Sequence, residues 1–180
     1  MKGIVFTEFL ELVESKFGLE TVNEIIEKSE LKSNGAYTAI GTYDFAEMLS
    51  LISNLSEKTK ITIHDLLYTY GLHFFKVLEE SYPGIIKKYK SPIDMLASID
   101  SHIHVEVRKI YPDAELPKFE ITEKTNNSIT LIYSSSRSMY AFALGLIEKT
   151  FHHFNSNAAV SYSLINEDGT KVKFVIKENE

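Results

Sequence analysis

Six histidines, His64, His73, His102, His104, His152 and His153, are the strongest metal-ligating side chains in a sequence that contains no cysteine. Without thiols there are no disulfides, iron–sulfur clusters or cysteine zinc sites, so a metal must be held by histidine, carboxylate or tyrosine. No HExxH motif occurs and no two histidines are spaced three or four apart, which gives a hydrolytic zinc site little support. His152 and His153 are neighbours that project to different sides of a helix, and they read as structural or solvated.

Helix geometry separates His102 from His104. At about 100° per residue from Asp100, the residues Ile93, Leu96, Ile99, Ile103, Val107 and Tyr111 fill an arc of roughly 120°. His104 falls about 40° from Asp100, at the edge of that arc, while His102 falls about 200° away, beside Glu106 and Lys109. His104 therefore faces inward and His102 faces water. An inward histidine is either a hydrogen-bonded core residue or a ligand, and periodicity leaves both readings open. Asp100, one turn earlier, is placed to accept the second ring proton of His104 and stiffen a ligating imidazole. A local cap or a water contact satisfies the same spacing.

A second constellation lies between Leu131 and Tyr140. In an extended strand Tyr133, Ser135 and Arg137 alternate onto one face. Two hydroxyls and one forked guanidinium suit the carboxylates of a ligand, such as the paired propionates of haem. A carboxylate of this same chain is the other partner the row allows for Arg137.

These residues need elements to position them. Phe6, Phe9, Leu10, Val13 and Phe17 predict a first helix stopped at Gly18, and Val22, Ile25 and Ile26 a second. Ser33 to Tyr37 has turn chemistry, and Phe45 to Leu55 predicts a third helix closed by the polar run Ser56–Lys60. Thr62-Ile63-His64-Asp65 resembles a capping box ahead of a fourth helix ended by Ser81-Tyr82-Pro83-Gly84. Ser91-Pro92 opens a fifth that is expected to run unbroken to about Tyr111, where Pro112 stops it. Beyond Pro117 the period changes to two. Strands are expected over Phe119–Thr122, Ser128–Tyr133, Ala159–Ile165 and Lys171–Ile176, with a helix from about Arg137 to Phe154 between the second and third. Helices followed by a small antiparallel sheet make an α+β fold in one domain spanning 1–180.

Composition excludes several classes. Nineteen basic and 25 acidic residues give a formal charge of −6 with no basic stripe, which argues against a nucleic-acid partner. No apolar run approaches the ~20 residues of a membrane span. Met1-Lys2-Gly3-Ile4 leads into an amphipathic pattern without an apolar signal segment, so the cytoplasm is the expected location. Eleven phenylalanines and ten tyrosines suit a large core or a flat apolar ligand pocket equally well.

The residues resemble a known family. Tyr133-x-Ser135-x-Arg137 is similar to the YxSxR propionate motif of H-NOX domains, the haem modules related to soluble guanylate cyclase. The spacing of His104 to Tyr111-Pro112 is similar to that family's proximal-histidine region, and Met1-Lys2-Gly3, Met139-Tyr140 and Leu144-Gly145-Leu146 resemble it too. The likeness spans essentially the whole chain. It implies a distal helical subdomain over about 1–62, a proximal subdomain over about 63–180 and haem b between them. His104 would bind the iron, Tyr133, Ser135 and Arg137 would clamp the propionates, and Pro117 would press on the macrocycle. Val5, Phe9, Phe74, Leu78, Phe142 and Leu146 would cover the distal side.

Oxygen-binding members place a tyrosine five residues after the motif's arginine; here that position is Phe142, and the other polar distal positions align with Phe9 and Phe74. A missing hydrogen bond to a charged group is worth ~1.5–3 kcal/mol, about tenfold or more in affinity. The resemblance therefore implies a nitric oxide sensor, also able to bind carbon monoxide, that excludes oxygen. It is expected to have no enzyme activity and to act in trans on a histidine kinase or diguanylate cyclase, since no catalytic domain is seen after residue 180. A haem enzyme and a haem-free module for an apolar carboxylate are the alternatives. Tyr140, on another helix face, is not counted as distal.

Overall fold

A computed structural model describes residues 1–179 and orders them as helices followed by a sheet with one inserted helix. Helix α1 (Ile4–Phe17) buries Phe6, Phe9 and Val13, and Gly18, at φ 84°, stops it while donating its N–H to the Glu14 carbonyl. Helices α2 (Leu19–Lys28) and α3 (Phe45–Thr59) complete a helical layer; Asp44 caps α3 by accepting the Ala46 N–H. The expected N-cap is present at α4 (Ile63–Ser81), but the reciprocal bond joins the Thr62 hydroxyl to Asp65 and does not use the backbone N–H of a full capping box. Thr62 Oγ1 accepts the Asp65 N–H at 3.1 Å and its hydroxyl donates to Asp65 Oδ2 at 2.7 Å. A single turn, α5 (Pro83–Ile86), follows.

The fifth helix expected over 92–111 is not continuous. It divides into α6 (Pro92–Ala97), a π-helical turn (Ile99–Ile103) and α7 (His104–Ile110). Wider i→i+5 bonding causes the break. The Ser98 carbonyl accepts from both His102 N–H at 2.9 Å and Ile103 N–H at 3.0 Å, and the His104 N–H reaches back to the Ile99 carbonyl.

Strands β1 (Lys118–Lys124), β2 (Ser128–Ser134), β3 (Ala158–Leu164) and β4 (Lys171–Glu178) form an antiparallel sheet in the order β1-β2-β4-β3. Alternate residues Ile129, Leu131 and Tyr133 of β2, with Val172, Phe174 and Ile176 of β4, are buried beneath α8 (Tyr140–His153). Two expectations need correction here. Strand β2 ends at Ser134, so Ser135 and Arg137 lie on a turn rather than in a strand row with Tyr133, and the helix expected from Arg137 begins at Tyr140. Ser135 Oγ accepts the Arg137 N–H at 3.2 Å, a turn of side-chain-to-backbone type, and Ser138 takes a left-handed φ of 52°.

The layers meet where α4 crosses α8. A Cβ on Gly145 would lie 2.2 Å from the Tyr68 carbonyl oxygen, and one on Gly71 would lie 2.2 Å from that of Phe142. Only residues without side chains let the two backbones approach so closely.

Candidate functional site

A cavity of about 380 Å³ lies between the helical layer and the sheet, within the range of pockets that hold mid-sized organic ligands. One wall is carbon. Val5 of α1, Phe74 and Leu78 of α4, and Phe142 and Leu146 of α8 line it, with the Phe74 and Phe142 rings 5.5 Å apart. Phe9 does not reach the cavity. It lies one layer behind, fully buried, with its ring 5.5 Å from Tyr70, and the sequence placed it at the site only by alignment with a family position. Tyr140 does not line the cavity either; it packs 5.4 Å from Tyr162 and 5.8 Å from His64.

The opposite wall carries the polar chemistry. His104, 8% exposed, lines the cavity and bonds through Nδ1 to Asp100 Oδ1 at 2.8 Å. Asp100 Oδ2 accepts the Phe119 N–H at 2.8 Å, so the carboxylate is held from two sides. Burial pushes the imidazole below its ordinary pKa, with Asp100 opposing, which favours the neutral form that metals require. With Nδ1 committed to Asp100, Nε2 is the nitrogen left for a ligand. The Phe119 ring stands 6.1 Å from His104 and 5.5 Å from Tyr133. Phe119 joins this wall because β1–β2 register sets it opposite Tyr133, a pairing that sequence periodicity does not specify.

Tyr133, Ser135, Arg137 and Pro117 all reach the cavity, although a turn and not a strand gathers the first three. Burial holds the Tyr133 phenol above its ordinary pKa, with Ser135, the Met139 backbone and Arg137 pulling the other way. Arg137 has partners in its own chain: Nη1 donates to the Glu115 carbonyl at 2.8 Å and Nη2 pairs with the Glu115 carboxylate. The alternative left open by the sequence, a carboxylate of the same chain, is thus realised. Glu115 is 83% exposed on its side of the pair, so water competes for it and the pair is weakly held.

Several lining residues emerge as site residues only in the structure. The Tyr82 and Tyr111 hydroxyls bond each other at 2.8 Å, and Thr150 donates to the Leu146 carbonyl at 2.8 Å. At the rim, Lys2 Nζ meets Asp113 Oδ1 at 2.9 Å, and Asp113 Oδ2 accepts from Thr42 at 2.7 Å. The Met1 ammonium donates to the Tyr43 carbonyl at 2.6 Å, and burial, then Arg137, lowers its pKa. All of these except the Thr150 bond, which spans one helical turn, join parts of the chain remote in sequence.

Among the described residues no three of His, Asp and Glu gather into a metal-ligating set, so a metal here would rest on one imidazole and a cofactor's own donors. An inward imidazole with an anchored second nitrogen, an apolar slot and a cation beside two hydroxyls fit haem. No helix of the described residues is long and apolar enough to cross a membrane.

The haem-NO-binding family model matches residues 2–162. Among solved structures, the unliganded Fe(II) H-NOX protein from K. algicida is 64% identical, with a TM-score of 0.98 over 100% of this chain and 97% of that one. The IWP-051-bound Fe(II)CO H-NOX from Shewanella woodyi is 40% identical, with a TM-score of 0.83 over 99% and 95%. An H-NOX protein from S. oneidensis in the Fe(II)NO state is 26% identical, with a TM-score of 0.92 over 100% of both chains. A search of curated proteins gave no match.

Proposed function

Since this chain belongs to the haem-NO-binding (H-NOX) family, we propose that it is a nitric oxide sensor that excludes dioxygen and regulates a separate enzyme in trans. One observation carries the reading: the wall facing His104 presents no free hydrogen-bond donor from α4 or α8 among the described residues. Phe74, Leu78, Phe142 and Leu146 are hydrocarbon, and the Thr150 hydroxyl is occupied by a carbonyl.

Haem b, when bound, would supply a ferrous iron able to bind a diatomic gas. His104 would hold that iron through Nε2, with Asp100 fixing the ring. Tyr133, Ser135 and Arg137 would take the propionates, Arg137 exchanging Glu115 for them, and Pro117 would contact the macrocycle. Val5, Leu78 and Leu146 would exclude water, while Phe9 would only back the wall. Phenylalanine offers no hydrogen bond to the partial negative charge that dioxygen acquires as a ligand, whereas nitric oxide and carbon monoxide need no such help. In this reading the helical part, about 1–62, covers the distal side and about 63–180 the proximal side. The chain acts in the cytoplasm as a sensor rather than an enzyme, and its output enzyme is a histidine kinase or diguanylate cyclase.

Spectra of the reconstituted ferrous protein test this. In air the protein is expected to show no oxy spectrum, and nitric oxide is expected to shift its Soret band. A stable oxy complex would overturn the proposal.

A further inference from the structure

The two edges of the sheet are built differently. Strand β1 carries Lys118, Glu120, Glu123 and Lys124 and a register break between Ile121 and Glu123, devices that discourage another strand from pairing. Strand β3 and the residue after it, Ala158 to Ile165, contain no charge, proline or glycine. Such an edge is a template for strand addition.

Its free hydrogen-bonding groups can be assigned. Ile165 donates its N–H to the Lys171 carbonyl at 2.8 Å, and Asn157 accepts from the Asn179 N–H at 2.9 Å. The β3–β4 register has no shift, so the odd-numbered residues of β3 turn their backbone groups toward β4. Ala158, Val160, Tyr162 and Leu164 therefore turn theirs toward solvent. The side chains of these four lie on the core side, where Tyr162 remains 40% and Leu164 44% exposed.

Charge selects the partner. On the outer face Lys173 stands opposite Ser163 and Lys177 opposite Ala159, and among the described residues neither lysine has an ion-pair partner. The short side chains of Ala159, Ser161 and Ser163 leave the lysines free to lean over β3. A glutamate on an added strand would lie two strand spacings from β4, roughly 9–10 Å, which a lysine and a glutamate reaching toward each other span. We propose that β3 is a docking edge that accepts, by strand addition, an extended partner segment in which acidic and apolar residues alternate. A second copy of this chain fits less well, because its β3 offers only Ala159, Ser161 and Ser163 to the lysines. The proposal does not depend on what fills the cavity.

Fluorescence anisotropy with the full chain and labelled octapeptides tests it. An alternating Glu/Val peptide is expected to bind about tenfold tighter than its Lys/Val counterpart, because Lys173 and Lys177 attract the one and repel the other. High salt should shrink that preference, and K173E/K177E should reverse it. Val160→Pro removes a free-edge donor without touching the β3–β4 bonds and should abolish binding, whereas Val160→Ala, which gives up the same core packing but keeps the donor, should still bind. N-methylation of the peptide along one edge should likewise abolish binding with the protein unaltered. Equal binding of both peptides, no binding of either, or insensitivity to N-methylation would overturn the proposal. Concentration-dependent dimerisation lost in Val160→Pro, without peptide binding, would assign the edge to a second copy instead.

Discussion

The two walls of the cavity divide the chemistry between them. The α4–α8 wall offers carbon and is held close by Gly71 and Gly145, which let the helix backbones touch. The wall built from the π-helical turn, α7 and the first two strands offers nitrogen and oxygen, with His104 anchored by Asp100 and Asp100 by Phe119, while Arg137 is held loosely by the exposed Glu115. The polar wall can hold and orient a cofactor. The apolar wall can only decide which small ligands receive help, and it does so by offering none.

Removing the centre of the polar wall should have the largest effect. His104→Gly is expected to abolish haem ligation by the protein, and added imidazole should restore a pentacoordinate ferrous spectrum; an unchanged spectrum in the variant would move the ligand elsewhere. Asp100→Asn leaves the imidazole in place and weakens its support. Loss of such a partner lowers metal affinity by about 10–100-fold, readable as faster haem transfer to a scavenging protein. On the apolar wall, Phe142→Tyr should add the missing donor and raise dioxygen affinity by about tenfold, measured by titration of the ferrous protein. Should neither wall respond in this way, the division of roles is wrong.

The smallest effect concerns the tie across the rim, where Asp113 meets Lys2 and Thr42. The Thr42 and Lys2 hydrogen bonds lower the Asp113 pKa from 3.8 to about 2. A carboxyl depressed by folding adds stability above its unfolded pKa and loses it as pH falls through the folded one. The contribution is therefore complete above pH ~4 and fades toward pH ~2. Asp113→Asn should flatten the stability profile in that window, as followed by urea denaturation at each pH, and leave it parallel to wild type near neutrality.

Much of this arrangement was legible in the residues. The side-chain cap at Thr62, the stop at Gly18 and the inward face of His104 are local facts, set by side-chain type and by a period of a few residues. The π-helical turn escaped because a wider turn leaves no compositional trace. His104 still arrived on the inner face, since Asp100 and His104 are one turn apart in either geometry. Tyr133, Ser135 and Arg137 all line the cavity, but not as one strand row, because the Ser135 side chain bonds the backbone and the strand ends at Ser134.

By itself the sequence determined the order of most helices and strands, the absence of thiol chemistry, the histidine that turns inward and the guanidinium beside two hydroxyls. Only the tertiary structure decided that Phe9 stands behind the wall, that Phe119 bridges His104 and Tyr133, that Glu115 holds Arg137, and that β3 is left as an open edge. The first set follows from interactions between residues a few positions apart. The second follows from strand register and helix crossing, which bring together residues whose separation along the chain carries no periodic signal.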